Sequence, residues 1–139
     1  MTEANVHTPP SDETGPRGDL CTRTLAMPAD TNANGDIFGG WVMSQVDIAA
    51  SIPAIQRARG RVATVAVNSF VFKHPIFVGD LVSFYADVVK VGRTSITVNV
   101  EVYAQRSKNQ LIEVVRVTEA TLTFVALDDA QQARVVPPE

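Results

Sequence analysis

An α+β fold, an antiparallel five-stranded sheet wrapped around one long central helix, is predicted by three features of the chain. From Trp41 to about Arg59 apolar residues recur at three- and four-residue spacings, in the sets Val42, Val46, Ala49 and Ile48, Ile52, Ile55, which is the period of a helix. After Gly60 the pattern changes to that of strands. Within one of them Ile96, Val98, Val100 and Val102 alternate with Thr97, Asn99, Glu101 and Tyr103, as a sheet with one covered face and one outward face requires.

Leu20 to Met27 reads as a short opening strand ended by Pro28, since the residue before a proline is driven toward extended backbone. The helix that follows is apolar nearly all round, so other structure is expected to wrap it, and Gly60 is expected to stop it. Pro53 lies inside it and cannot donate to the Ala49 carbonyl, which predicts a kink or a looser last turn. Four strands come next, Val62 to Phe72, Leu81 to Val91, Thr94 to Gln105 and about Val115 to Leu127, with Gly79-Asp80 and Val91-Gly92-Arg93 as the hairpin punctuation. The order is β-α-β-β-β-β. A five-stranded sheet leaves an edge, and an edge as apolar and regular as this invites pairing; a homodimer with a continuous sheet would remove it.

With 139 residues, 45% hydrophobic and 19% charged, the chain is expected to form one soluble domain over residues 20–127, between a disordered tail at 1–19 and a loose tail at 128–139. A net charge of -3 without any Lys/Arg run argues against nucleic acid or an anionic membrane as the main partner. The single cysteine, Cys21, precludes an internal disulfide and Cys-rich zinc sites and suits a reducing, cytoplasmic setting. The first residues have neither a basic start nor an apolar stretch, so no signal peptide is expected, and no apolar run approaches the roughly 20 residues that span a bilayer.

The chemistry concentrates at the helix and the loop before it. Asp47 is the lone carboxylate of the apolar run 39–50, where an unpaired charge would cost several kcal/mol; it is either a satisfied structural group or a catalytic one. The preceding segment, Thr31 to Gly40, packs Asn32, Asn34 and Asp36 with Gly35, Gly39 and Gly40 into ten residues, the composition of a shaped, ligand-facing loop. Asn34 and Asp36 read first as local turn formers. Ser51, four residues after Asp47, shares its helical face and is expected to hold the carboxylate or a water. His74 reads as a turn histidine, and Trp41 and Met43 as core.

The stretch Arg23-Thr24-Leu25-Ala26-Met27-Pro28-Ala29-Asp30-Thr31-Asn32-Ala33-Asn34-Gly35-Asp36-Ile37-Phe38-Gly39-Gly40-Trp41-Val42-Met43-Ser44-Gln45-Val46-Asp47 resembles the signature of hot-dog-fold acyl-CoA thioester hydrolases, closely so for the bacterial YciA-like group. Gly60-Arg61-Val62, Thr64-Val65-Ala66-Val67, Pro75 with Val78-Gly79-Asp80, and Val91-Gly92-Arg93-Thr94-Ser95 agree in order and spacing, so the likeness runs from about residue 20 to 127. It implies hydrolysis of fatty acyl-CoA to free acid and CoA, no metal, no cofactor beyond the CoA of the substrate, and a dimer or trimer of dimers. It assigns Asp47 as base or nucleophile and Asn32 as the carboxamide that orients the thioester carbonyl or the lytic water. It also sets Arg93, Thr94 and Ser95 along the CoA arm; Arg61 and Lys73 are further candidates for phosphate contacts.

Thioester hydrolysis needs a group that activates water or attacks the carbonyl, and donors for the developing oxyanion. Gly39 and Gly40, at the helix start, offer free backbone N–H groups and the positive end of the helix dipole. Asp47 lies eight residues beyond Gly39, roughly 12 Å along the helix at about 1.5 Å per residue. One carbonyl cannot touch both, so a shared thioester requires the amides of one subunit and the carboxylate of its partner, with the helices antiparallel across the dimer axis. Two other functions fit parts of the pattern. A non-hydrolytic acyl-CoA binding or sensing protein would not need Asp47, and a hot-dog enoyl-CoA hydratase would place a histidine beside the carboxylate on the helix, where this chain has none.

Overall fold

The computed structural model describes residues 15–139 together with the short strand Val6–His7 (β1); of the tail expected over 1–19, the rest of residues 1–14 lies outside the described residues. The elements that follow are β2 (Asp19–Leu25), a 3-10 turn (Pro28–Asp30), helix α1 (Gly39–Ala58), β3 (Val62–Phe72), β4 (Leu81–Val91), β5 (Ser95–Lys108) and β6 (Leu111–Ala126). The five long strands form an antiparallel sheet in the order β3-β6-β5-β4-β2, and β1 adds parallel to β6 at Ile112 and Glu113. This is the expected hot-dog arrangement.

The helix packs through its smallest side chains. Val42, Val46, Ala49, Ala50 and Ala54 are buried against Phe84, Ile96, Val98, Val100, Val102, Leu122 and Phe124 of the sheet. Alanine on the contact face lets the helix axis approach the sheet closely, and each fully buried valine there contributes about 1.5–3 kcal/mol. The inward set of β5 is the one its alternation predicts. Its outward set differs: Glu101 and Tyr103 are also buried, because Arg17 donates its backbone N–H to Glu101 Oε1 (3.0 Å), the Tyr103 hydroxyl does so at 3.2 Å, and Arg116 lies 3.7 Å away.

Four boundaries depart from expectation. Order begins before residue 20, since Asp19 opens β2 opposite Ala86 and a Cβ on Gly18 would stand 2.3 Å from the Ala86 carbonyl oxygen. The helix ends at Ala58, with Arg59 rather than Gly60 in the left-handed conformation (φ 55°), and it continues as α-helix past Pro53. The β5–β6 hairpin turns on Asn109 and Gln110, both left-handed (φ 55° and 67°), so β5 and β6 are 14 and 16 residues long and meet without a glycine.

The fourth correction is the carboxy-terminal segment. Residues 128–139 fold back on the domain: Asp128 Oδ1 accepts from Ala130 and Gln132 N–H, Arg134 N–H donates to the Ala126 carbonyl, and Val136 is 7% exposed.

The wrapping of α1 is incomplete. Met43, Ile48 and Ile55 are exposed on the helix, and Val65, Val67, Val71 and Phe72 on β3, which pairs only with β6 among the described residues. An apolar helix flank beside an open 11-residue edge strand is the surface expected to pair with a second copy. Met43 is therefore not a core residue of the protomer. Among the described residues no helix is long and apolar enough to cross a membrane.

Candidate active site

The loop before α1 is built around Asn32. Its side-chain Oδ1 accepts from the backbone N–H of Asn34 (2.9 Å) and of Asp36 (3.1 Å), and its own N–H donates to the Asp36 carbonyl (2.7 Å). The turn former is thus Asn32, with Asn34 and Asp36 as backbone donors to it. With Oδ1 held in the loop, the other end of the carboxamide, Nδ2, is the part left to act as a donor. Asn32 lines a cleft of about 380 Å³ with Asp36, Gly39, Phe72, Lys73 and His74, among others; Asn34 stands outside it, exposed.

The helix start forms the floor of this region. Phe38 precedes the helix and supplies no side-chain cap, and the first turn holds no acidic residue. Among the described residues nothing accepts from the N–H groups of Gly39 or Gly40. Two unsatisfied donors at the positive end of a 20-residue helix are a ready oxyanion site. The glycines differ in role. A Cβ at Gly39 would meet the Phe72 ring at 3.3 Å, whereas a Cβ at Gly40 would face open space.

The cleft's far wall is held by a buried pair at the predicted Gly79-Asp80 turn, where Asp80 N–H donates to the Phe77 carbonyl (3.0 Å) and Gly79 is left-handed (φ 92°). Asp80, 2% exposed, accepts from Phe77 N–H (2.9 Å) and pairs with Arg106 at 2.8 Å; Arg106 also donates to the Pro75 carbonyl and lies over the Phe77 ring. Lys73 pairs with Glu119 at 2.9 Å, and the lysine's hydrogen bond holds the Glu119 carboxyl below its usual range. Burial pushes the Cys21 thiol up, away from nucleophile chemistry.

Asp47 is half-buried on the flank of α1 that faces β3, not sunk in the core. Thr64 of β3 donates its hydroxyl to Asp47 Oδ1 at 2.6 Å. Thr64 was not among the expected site residues; it is the hydroxyl that holds the carboxylate. Ser51, expected in that role, instead donates to the Ile48 carbonyl of its own helix (2.6 Å). Asp47 does not line the Asn32–Gly39 cleft of its own protomer.

The remaining candidates stand at the other end of the helix. Arg61 borders a groove of about 320 Å³ with Arg59, Gly60, Asp128 and Arg134. The β4–β5 turn is closed by the Gly92 N–H donating to the Ser95 carbonyl, the Thr94 carbonyl accepts from Ala126 N–H, and Arg93 is exposed. The structure therefore splits the candidate residues in two: Asn32, Gly39, Gly40 and Lys73 around the helix start, and Arg61, Arg93, Thr94 and Ser95 around its end, with Asp47 between. Among the described residues no group of three or more His, Cys, Asp or Glu side chains is placed to hold a metal ion.

A hot-dog sheet around one helix, with bare amides and a carboxamide donor at the helix start and a braced carboxylate on its flank, defines a protein with the parts for acyl-thioester chemistry. The chain belongs to the thioesterase superfamily, whose family model matches residues 34–109. It is 52% identical over 124 residues to an uncharacterized acyl-CoA thioester hydrolase of Haemophilus influenzae, covering 88% of this chain and 80% of that one. It is 50% identical over 125 residues to the acyl-CoA thioester hydrolase YciA of Escherichia coli K12, covering 89% and 95%. Among solved structures it superposes with a TM-score of 0.85, at 51% identity and over 88% and 89% of the two chains, on the hexameric broad-specificity acyl-coenzyme A thioesterase HI0827, there crystallised as an aspartate-to-alanine mutant.

Proposed function

We propose that this protein hydrolyses acyl-CoA thioesters in a site shared by two protomers. The observation that carries this reading is the separation of Asp47 from the Asn32–Gly39 cleft within one chain, beside a β3 edge that is unpaired among the described residues and that a second copy would cover. Pairing β3 with its counterpart sets two α1 helices antiparallel and brings the partner's carboxylate to the helix start. The thioester oxygen then docks on the Gly39 and Gly40 amides with Asn32 Nδ2 as third donor. Asp47 Oδ2, the oxygen that Thr64 leaves free, takes the proton from water as the water adds to the carbonyl carbon. The oxyanion collapses and expels the CoA thiolate.

The same pairing orients the substrate. Asp47 and the end of its helix near Arg59 are twelve residues apart, roughly 18 Å at about 1.5 Å per residue. Arg61 and Arg93 of the subunit that supplies Asp47 therefore stand one extended pantetheine arm away from the reacting carbon, where the CoA phosphates end. Thr94 and Ser95 border the arm, and Lys73, held by Glu119, offers a further positive charge near the cleft. Hexameric relatives support three such dimers per particle, and a lone cysteine, which suits a reducing compartment, favours the cytoplasm as the site of action.

The test is free-thiol release from a panel of acyl-CoAs by the purified chain. Release is expected across several acyl lengths; tight binding without release at any length would favour a binding protein instead. Thr64→Val should lower kcat roughly tenfold with KM and melting temperature nearly unchanged, since it removes one charge-assisted hydrogen bond and little volume. An unchanged kcat would remove Thr64 from the site.

A further inference from the structure

The strap formed by residues 128–139 bonds directly to one of the arginines assigned above to the CoA phosphates, Arg93, and reaches the other, Arg61, through Leu127. Arg134 is its hub. The guanidinium donates from Nε to the Leu127 carbonyl and from Nη2 to the Ala58 carbonyl, each at 2.8 Å, so it satisfies an orphan acceptor at the negative end of α1. Gly60 makes room for it: a Cβ there would come within 2.8 Å of Arg134 Nη2. Leu127, whose carbonyl Arg134 holds, donates its N–H to the Arg61 carbonyl at 2.9 Å. Two residues past Arg134, the buried Val136 donates its N–H to the Arg93 carbonyl at 2.9 Å, and Arg57 closes the strap by donating to the Pro137 carbonyl. The Arg61 and Arg93 side chains themselves are exposed and make no bond among the described residues.

Resting on the reading of Arg61 and Arg93 as the phosphate end of the site, we infer that the strap is a positioning element for substrate binding, with Arg134 a positioning residue. Arg134 and Arg57 spend their charge on backbone carbonyls, and the strap ties the start of β3 and the β4–β5 turn, far apart in sequence, into one frame. Without it the two exposed arginines would move independently, and the entropy of ordering them would be lost from CoA affinity. A substrate that lacks the nucleotide would not notice.

The experiment compares an acyl-CoA with the same acyl group on pantetheine alone. It uses the full assembly of Arg134→Ala and of a chain ending at Val135, which keeps Arg134 but lacks the Val136 and Pro137 contacts. KM for the acyl-CoA should rise about tenfold in both variants, with kcat and the KM for acyl-pantetheine within about twofold of the unaltered chain. Arg134→Lys, which retains one donor, should recover most of the acyl-CoA KM. The inference is overturned if KM rises equally for both thioesters, or if the Val135-terminated chain binds acyl-CoA as well as the unaltered one. Failure of the unaltered chain to hydrolyse either thioester would refute the hydrolase reading, and this inference with it.

Discussion

Asp47→Asn is expected to lower kcat for acyl-CoA hydrolysis by about a thousandfold while leaving acyl-CoA bound, because positioned acid–base groups typically contribute about 10²–10⁴-fold. The amide keeps the size of the carboxylate and can still accept from Thr64. It cannot take a proton from water, and it cannot attack the thioester carbonyl. The residual rate would come from the Gly39 and Gly40 amides and Asn32, which the substitution leaves in place. Binding can be followed by calorimetry with a slowly hydrolysed acyl-CoA. Near-native turnover in this variant would exclude Asp47 from the chemistry.

Val67→Glu is expected to convert the assembly into monomers and to cut activity by on the order of a hundredfold or more, since oxyanion donors and base would no longer meet. Val67 pairs with the inward-facing Leu122 but is 46% exposed at the open edge, so a carboxylate there is solvated in the lone protomer and stranded in an apolar contact in the dimer. Sedimentation velocity alongside thiol release checks both consequences. A folded monomer that retains native kcat would contradict the shared site.

Much of the architecture was legible from periodicity, because the buried side of each element is set by local spacing. The inward set of β5 and the helix positions Val42, Val46 and Ala49 sit where the 2.0 and 3.6 periods place them. What stayed hidden depends on contacts between elements. Asp80 reads as a hairpin residue, and only the fold brings Arg106 of β5 to it across 26 positions. Thr64 looks like any strand threonine until β3 lies beside α1. Ser51 follows Asp47 by one helical turn, yet its hydroxyl is captured by the nearer Ile48 carbonyl, the usual competition a helical serine faces.

Two signals were available and misleading. Glycine as the mark of a turn points to Gly60, Gly79 and Gly92, and passes over the left-handed Asn109–Gln110 pair and the Arg59 cap, although asparagine tolerates that conformation. The carboxy-terminal segment carries little apolar periodicity, and its order comes instead from Arg57, Arg134 and the carbonyls they reach.

The most direct test of the two-protomer site is subunit complementation. Asp47→Asn and Asn32→Ala chains, each nearly inactive alone, are mixed one to one, unfolded and refolded together. In a symmetric dimer half of the pairs are then mixed, and one of the two sites in each mixed pair regains both an intact Asn32 and an intact Asp47, so about a quarter of the unaltered activity should return. If each site were built within a single chain, the mixture would show no more activity than the average of its two components.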